Sequence, residues 1–173
     1  TLAAGTTLRL LLPHWVSEGT LNDLFRRLRD PDSRSKMKAE MIEETKRLAA
    51  DTAISRWDET HLARVISEPN SQYQGKSINE ISRLKGTDPE TTVMDLVLEE
   101  SCLATMHRVF KQSDDLTTAV THPLTMIETD AMGFVEGTPS VGQYGSFPRM
   151  LGYYVREKKL LRLEEAIGKM TSY

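Results

Sequence analysis

The stretch that decides the fold is HPLTMIETDAMGFVEGTPSVGQYGSFPR, His122 to Arg149. Within it, Leu124 to Glu128 read as a short buried strand, because the run is largely apolar or β-branched and Pro123 stands just before it. The strand runs out in Thr129-Asp130, followed by Ala131, Met132, Gly133 and a loop rich in Gly, Pro and Ser. A carboxylate just past the C-terminal end of a parallel strand occupies the place where barrel enzymes put catalytic groups. Beyond the loop, Phe147-Pro148-Arg149-Met150-Leu151 leads into a predicted helix carrying Tyr153, Tyr154 and Val155.

Upstream, the chain reads as mostly helical with a few short strands. Residues 1–13 are extended or loop-like. Leu21, Leu24, Phe25 and Leu28 fall at helical spacing, and Asp30-Pro31 starts a second helix to about Asp51, with Met37, Met41, Thr45 and Leu48 on one stripe. His61 to Ser67 alternate as a strand does. Ser77 and Glu80 have capping-box spacing, which opens a helix ending near Gly86. Asp88-Pro89 opens what reads as the longest helix, to about Phe110, and Ser113 begins a last short one before the strand.

Composition narrows the function classes. Hydrophobic residues at 39% and charged residues at 27% fit an ordinary globular domain of 173 residues. A formal charge of -3 offers nucleic acid no general attraction. No apolar run approaches the roughly 18 residues of a membrane helix. The single cysteine, Cys102, excludes an internal disulfide and reads as a small buried hydrophobe in a helix. The four histidines, His14, His61, His107 and His122, form neither an HxH nor an HExxH pattern, so the chain carries no metal motif of its own.

Three blocks add a family. TMIETDA, YGSFPRMLGYYVRE and LEEAIGKMTS make up the first; LLPHWVSEGTLNDLFRRLRDPDSRSKM from Leu11 and YQGKSINEISRLKGTDPETTVMDLVLEE from Tyr73 are the others. Together they resemble the C-terminal part of the catalytic domain of the N-acyl-D-amino-acid deacylases, which are D-aminoacylase-like, metal-dependent amidohydrolases. The resemblance implies an α/β fold, a fragment of a TIM barrel, although this chain is itself mostly α-helical. It divides the chain into a barrel strand and loop remnant at 1–12, a helical, lid-like insertion at 13–121, and a last barrel strand with active-site loop and closing helices at 122–173.

The same resemblance implies the chemistry. Asp130 matches the aspartate at the end of the final barrel strand, the general base and one metal ligand; the cofactor is zinc, with its remaining ligands upstream of this chain. Thr6, Thr7, Tyr144, Ser146 and Arg149 are the candidate substrate-binding residues, Arg149 because a guanidinium binds a carboxylate bidentately. Family members often carry His-Pro-Arg in the loop after the aspartate, where this chain has Pro139-Ser140-Val141. The implied partners are a small N-acyl amino acid and the rest of the parent barrel, with room for a homo-oligomer, no nucleic acid and no membrane; the implied compartment is cytoplasmic. The piece is expected to be inactive alone. Two alternatives stay open: an amidohydrolase for a cyclic amide of the dihydroorotase or hydantoinase kind, and a non-catalytic helical interaction module. Trp15 in LLPHW is either the lid's edge or, with Trp57, an anchor of the insertion's core.

Overall fold

The helices that start at Leu21, Pro31, Ile78 and Pro89 do so where a side chain satisfies orphan backbone amides. A computed structural model describes residues 2–52, 56–110, 113–129 and 141–171. After strand β1 (Leu2–Thr7) and two short 3-10 turns, Thr20 and Asp23 exchange hydrogen bonds across the first turn of α1 (Leu21–Arg29). Asp30 accepts from the Ser33 amide at 2.8 Å and so opens α2 (Pro31–Thr52). Strand β2 (Thr60–Arg64) and the single turn α3 (Glu68–Ser71) come next. The expected Ser77–Glu80 box caps α4 (Ile78–Lys85), which ends at Gly86 with φ 67°, a left-handed position that glycine takes without strain.

Asp88 caps α5 (Pro89–Glu99), accepting from the Thr91 amide at 2.9 Å. Burial works against ionising Asp88, but the Lys38 ammonium and the Thr91 amide and hydroxyl outweigh it and hold the carboxyl down at about 2.

The helix from Pro89 does not reach Phe110. It stops at Glu99, Ser101 and Cys102 turn through φ 50° and 66°, and strand β3 (Thr105–Phe110) follows. No glycine or proline marks the stop, and the apolar spacing of Met106, Val109 and Phe110 imitates a helix. Cys102 therefore lies in a left-handed turn, half-buried, and burial pushes its thiol pKa up. The strands form one sheet of order β1-β3-β2, with β2 antiparallel to β3 and His61 opposite His107.

The chain divides into two compact units. One comprises Ala4–Arg108, the other the chain from Val109 onward with its first residues. The core of the first is built from Leu8, Leu24, Leu28, Met37, Leu62, Ile81 and Leu96, all essentially buried. Trp57 belongs to it as an anchor, its indole donating to Glu90 at 3.0 Å. Trp15 is half-buried against the same core, tied to Glu40 at 2.9 Å and covered by the Lys36 ammonium.

The second unit holds α6 (Ser113–Thr121), α7 (Val141–Arg149), a π-helix over Met150–Glu157 and α8 (Leu163–Thr171), around Val120, Met150, Tyr154 and Ala166. Two expectations are corrected here. Leu124 to Thr129 are not in a strand: Leu124 is 81% and Met126 60% exposed, and no ladder partner lies beside them among the described residues. A strand is a cooperative backbone pairing, and an apolar run without a neighbour cannot supply it. Helix also begins earlier than expected, at Val141 rather than after Pro148. Pro148 lies inside α7 and has no amide to give the carbonyl one turn back; the chain continues past it as a π-helix.

One buried carboxylate ties the first unit together. Glu100 is fully buried and accepts from the Ile66 amide at 2.6 Å, the Ser67 amide at 3.1 Å, the Ser67 hydroxyl and the Asn70 side chain at 2.7 Å. Burial alone raises its pKa, yet these donors outweigh it and keep the carboxyl below the usual glutamate value. Its contribution to stability is therefore complete above the ordinary glutamate range and is lost as pH falls through the depressed folded value. Replacing Glu100 with Gln removes the charge and aims an amide at donors. The expected cost is about 2–4 kcal/mol in urea denaturation at neutral pH; an unchanged midpoint excludes this role.

Candidate functional site

Two of the expected substrate residues meet in one pocket of the second unit. It has a volume of about 310 Å³ and an apolar floor made by Leu116, Val120, Ile127, Met150 and Tyr154. Ser146, Arg149, Thr125 and Glu128 supply its polar groups. Arg149 follows Pro148 at the end of α7, and its guanidinium carbon stands 4.5 Å from the Tyr153 ring centroid and 5.9 Å from that of Tyr154. Stacking on an aromatic face fixes the plane of a guanidinium while leaving its edge donors for a planar anion. Ser146 donates its hydroxyl proton to the Gly142 carbonyl at 2.7 Å, so toward a ligand it offers lone pairs only. Tyr144 is 66% exposed and is not among the lining residues.

Thr6 and Thr7 end β1 in the other unit, both half-buried, and the Thr7 hydroxyl donates to the Cys102 carbonyl at 3.4 Å. Asp130 lies outside the described residues, one position beyond Thr129.

The segment that leads to Asp130 is held by a residue the sequence reading passed over. Lys169, near the end of α8, is buried, and its ammonium donates to the His122 carbonyl and, at 3.2 Å, to the Thr125 carbonyl. Its own carbonyl accepts from the Ile127 amide at 2.8 Å. One lysine thus satisfies carbonyls that a neighbouring strand satisfies in a sheet. In sequence it is an ordinary basic residue in the last turn of a helix, where cations suit the dipole, so nothing marks it as buried. His122 is exposed, and its Nδ1 accepts from the Leu124 amide at 3.2 Å.

A zinc ion finds no home among the described residues. No group of three or more His, Cys, Asp or Glu side chains comes together there. His14 is exposed beside Glu18, and His61 and His107 stack on each other. Among the described residues, no helix is long and apolar enough to cross a membrane.

Comparison with known proteins gives this geometry a context. No family model matches the chain. Over 106 residues it is 32% identical to an N-acyl-D-glutamate deacylase of Alcaligenes xylosoxydans xylosoxydans, and over 97 residues 32% identical to the N-acyl-D-aspartate deacylase of the same organism. These matches take in 61% and 56% of the chain but 20% and 18% of the relatives. Over these residues the chain is similar to deacylases of N-acyl-D-amino acids.

Solved structures agree with that assignment. The N-acyl-D-glutamate deacylase of Bordetella bronchiseptica, seen with zinc and a phosphonate mimic of the tetrahedral intermediate, matches with TM-score 0.55 and 27% identity over 66% of this chain and 23% of its own. A D-aminoacylase with a binuclear metal centre matches with TM-score 0.52 and 27% identity over 64% and 22%. These neighbours are TIM-barrel amidohydrolases, and against them this mostly helical deacylase relative, with its three short strands, is a part of an α/β fold. It spans about a fifth of the length of the deacylases it matches.

If Lys169 fastens the 122–127 segment, then Lys169→Met should free its carbonyls at a cost of about 1–3 kcal/mol. Hydrogen exchange read at the Ile127 amide should speed up while exchange in the first unit stays unchanged. Equal protection of Ile127 in both proteins rules the clamp out.

Proposed function

We propose that this chain is the segment of a zinc-dependent amidohydrolase that supplies the general base for cleaving the amide of an N-acyl-D-amino acid. The observation that carries the reading is the match to two deacylases of acidic N-acyl-D-amino acids, joined to likeness with a deacylase that holds a mimic of the tetrahedral intermediate. An acidic N-acyl-D-amino acid is accordingly the first substrate to try.

Hydrolysis of an amide needs a proton removed from the attacking water and a proton delivered to the leaving nitrogen. A single carboxylate does both in turn, and Asp130 is assigned that part: it takes the water proton as the carbonyl carbon is attacked and returns it to the departing amine. Arg149, over the Tyr153 ring, pairs with the free carboxylate of the substrate, and the apolar floor around Val120 and Met150 receives its hydrocarbon. Ser146 accepts a hydrogen bond at the pocket's rim, Tyr144 lies toward solvent beside it, and Thr6 and Thr7 contribute hydroxyls in the complete protein.

Zinc, when bound, polarises the amide carbonyl and makes water more acidic. The described residues do not form its site, so the proposal places its ligands elsewhere in the complete protein, with Asp130 among them. The helices of the first unit act as the lid that excludes water. The departure from His-Pro-Arg at Pro139-Ser140-Val141 is the specific observation that favours a second reading, a cyclic amide without a free carboxylate.

In the complete natural protein, Asp130→Asn should lower kcat by about 10²–10⁴-fold and leave KM nearly unchanged. Wild-type turnover in that variant removes Asp130 from the reaction.

A further inference from the structure

The sheet of the first unit contains a pair of imidazoles that the proposed reaction does not use. His61 on β2 and His107 on β3 are direct cross-strand partners, with ring centroids 5.4 Å apart and planes within 6° of parallel. Both rings are half-buried, and both Nδ1 atoms are buried without a hydrogen-bond partner. A neutral imidazole tolerates this by leaving Nδ1 as the bare nitrogen and turning Nε2–H to solvent. An imidazolium cannot, because its Nδ1–H is then a buried donor with nothing to receive it. Two imidazolium rings face to face also repel each other.

We propose that the His61–His107 stack is a proton-sensitive joint, in which acidification through the imidazole range loosens β2 from β3. Few other charges bear on it. Strand β1, on the far side of β3, carries no ionisable residue between Leu2 and Thr7. From the start of α4, Ser77 bridges to His61, and the Glu80 carboxylate lies in electrostatic range of it with Lys76 beyond. Glu80 is already engaged by the Ser77 amide at 2.7 Å. Arg108 follows His107 on the alternate face, where it is felt by Arg56 and Glu44. A charge on His61 in turn opposes a proton on His107.

Burial, and then the His61 charge, pushes the His107 pKa down. A base with a depressed folded pKa makes the unfolded strand bind more protons, so stability is greatest above the ordinary imidazole value of about 6.5 and falls as pH drops below it. Between about pH 7 and about pH 5 the stack is the place in this sheet where protonation is opposed by the packing itself. β3 also pairs with β1, so the loosened edge adjoins the strand that carries Thr6 and Thr7.

The test is an NMR titration of the four histidine ring protons in the wild-type chain, with amide protection factors for β2 and β3 corrected for intrinsic exchange. His107 should titrate below the ordinary imidazole value, and protection across β2–β3 should fall by about tenfold over the same range. His107→Phe keeps a flat ring in the stack without a titrating group, and should show constant protection. Should that variant fail to fold, the wild-type titration decides alone. Four histidines titrating alike, with protection unchanged to about pH 5, would overturn the proposal.

Discussion

Glu100 is the constraint on which the first unit depends. A carboxylate with no solvent access must find its stabilisation in the protein, and here it comes from neutral donors in one short stretch, Ile66 to Asn70. These donors fix the chain where β2 passes into α3, while Glu100 marks the place where α5 gives way to β3. One ion therefore fastens the end of the β2–β3 pairing where Arg64 lies opposite Thr105. Asn70 also donates to Glu99, which binds Lys85, so the same cluster reaches the end of α4. A network of this kind gives position rather than large net stability, since most of its hydrogen-bond energy offsets desolvation of the charge.

The second unit solves a different problem with a cation. The Leu124–Thr129 segment carries the side chains of a strand without strand neighbours, and the Lys169 ammonium meets the carbonyls of Thr125 within it and of His122 just before it. The pocket beside it is then a product of helix packing: α6 gives one wall, the π-helix another, and the Pro148 interruption sets Arg149 against Tyr153. Apolar volume with a stacked guanidinium at its rim suits an amphiphilic carboxylate.

Local signals carried well from sequence to structure. The boxes at Thr20–Asp23 and Ser77–Glu80, the Asp30-Pro31 and Asp88-Pro89 starts, and the buried Met37–Met41 stripe depend on neighbours within a turn or two, and such patterns are visible in the residues themselves. The failures all involve partners distant in sequence or backbone shapes taken by unexpected residues. Ser101 and Cys102 adopt positive φ without glycine, so the end of α5 was illegible, and so was β3. Val141–Arg149 contains two glycines and a proline, yet it is helical. Of the candidate site residues, Ser146 and Arg149 share a pocket; Lys169 and the His61–His107 stack could not be read from the sequence, because each acquires meaning only from a partner 44 residues or more away.

The family resemblance gave the chemistry that spacing alone withheld, since the described residues hold no metal cluster. The most direct test is therefore made on the complete natural protein that carries this chain: zinc content, measured together with hydrolysis of N-acetyl-D-glutamate and its L-enantiomer. Bound zinc with turnover of the D-substrate alone is the predicted result. A protein that binds no zinc and leaves both enantiomers intact would contradict the account.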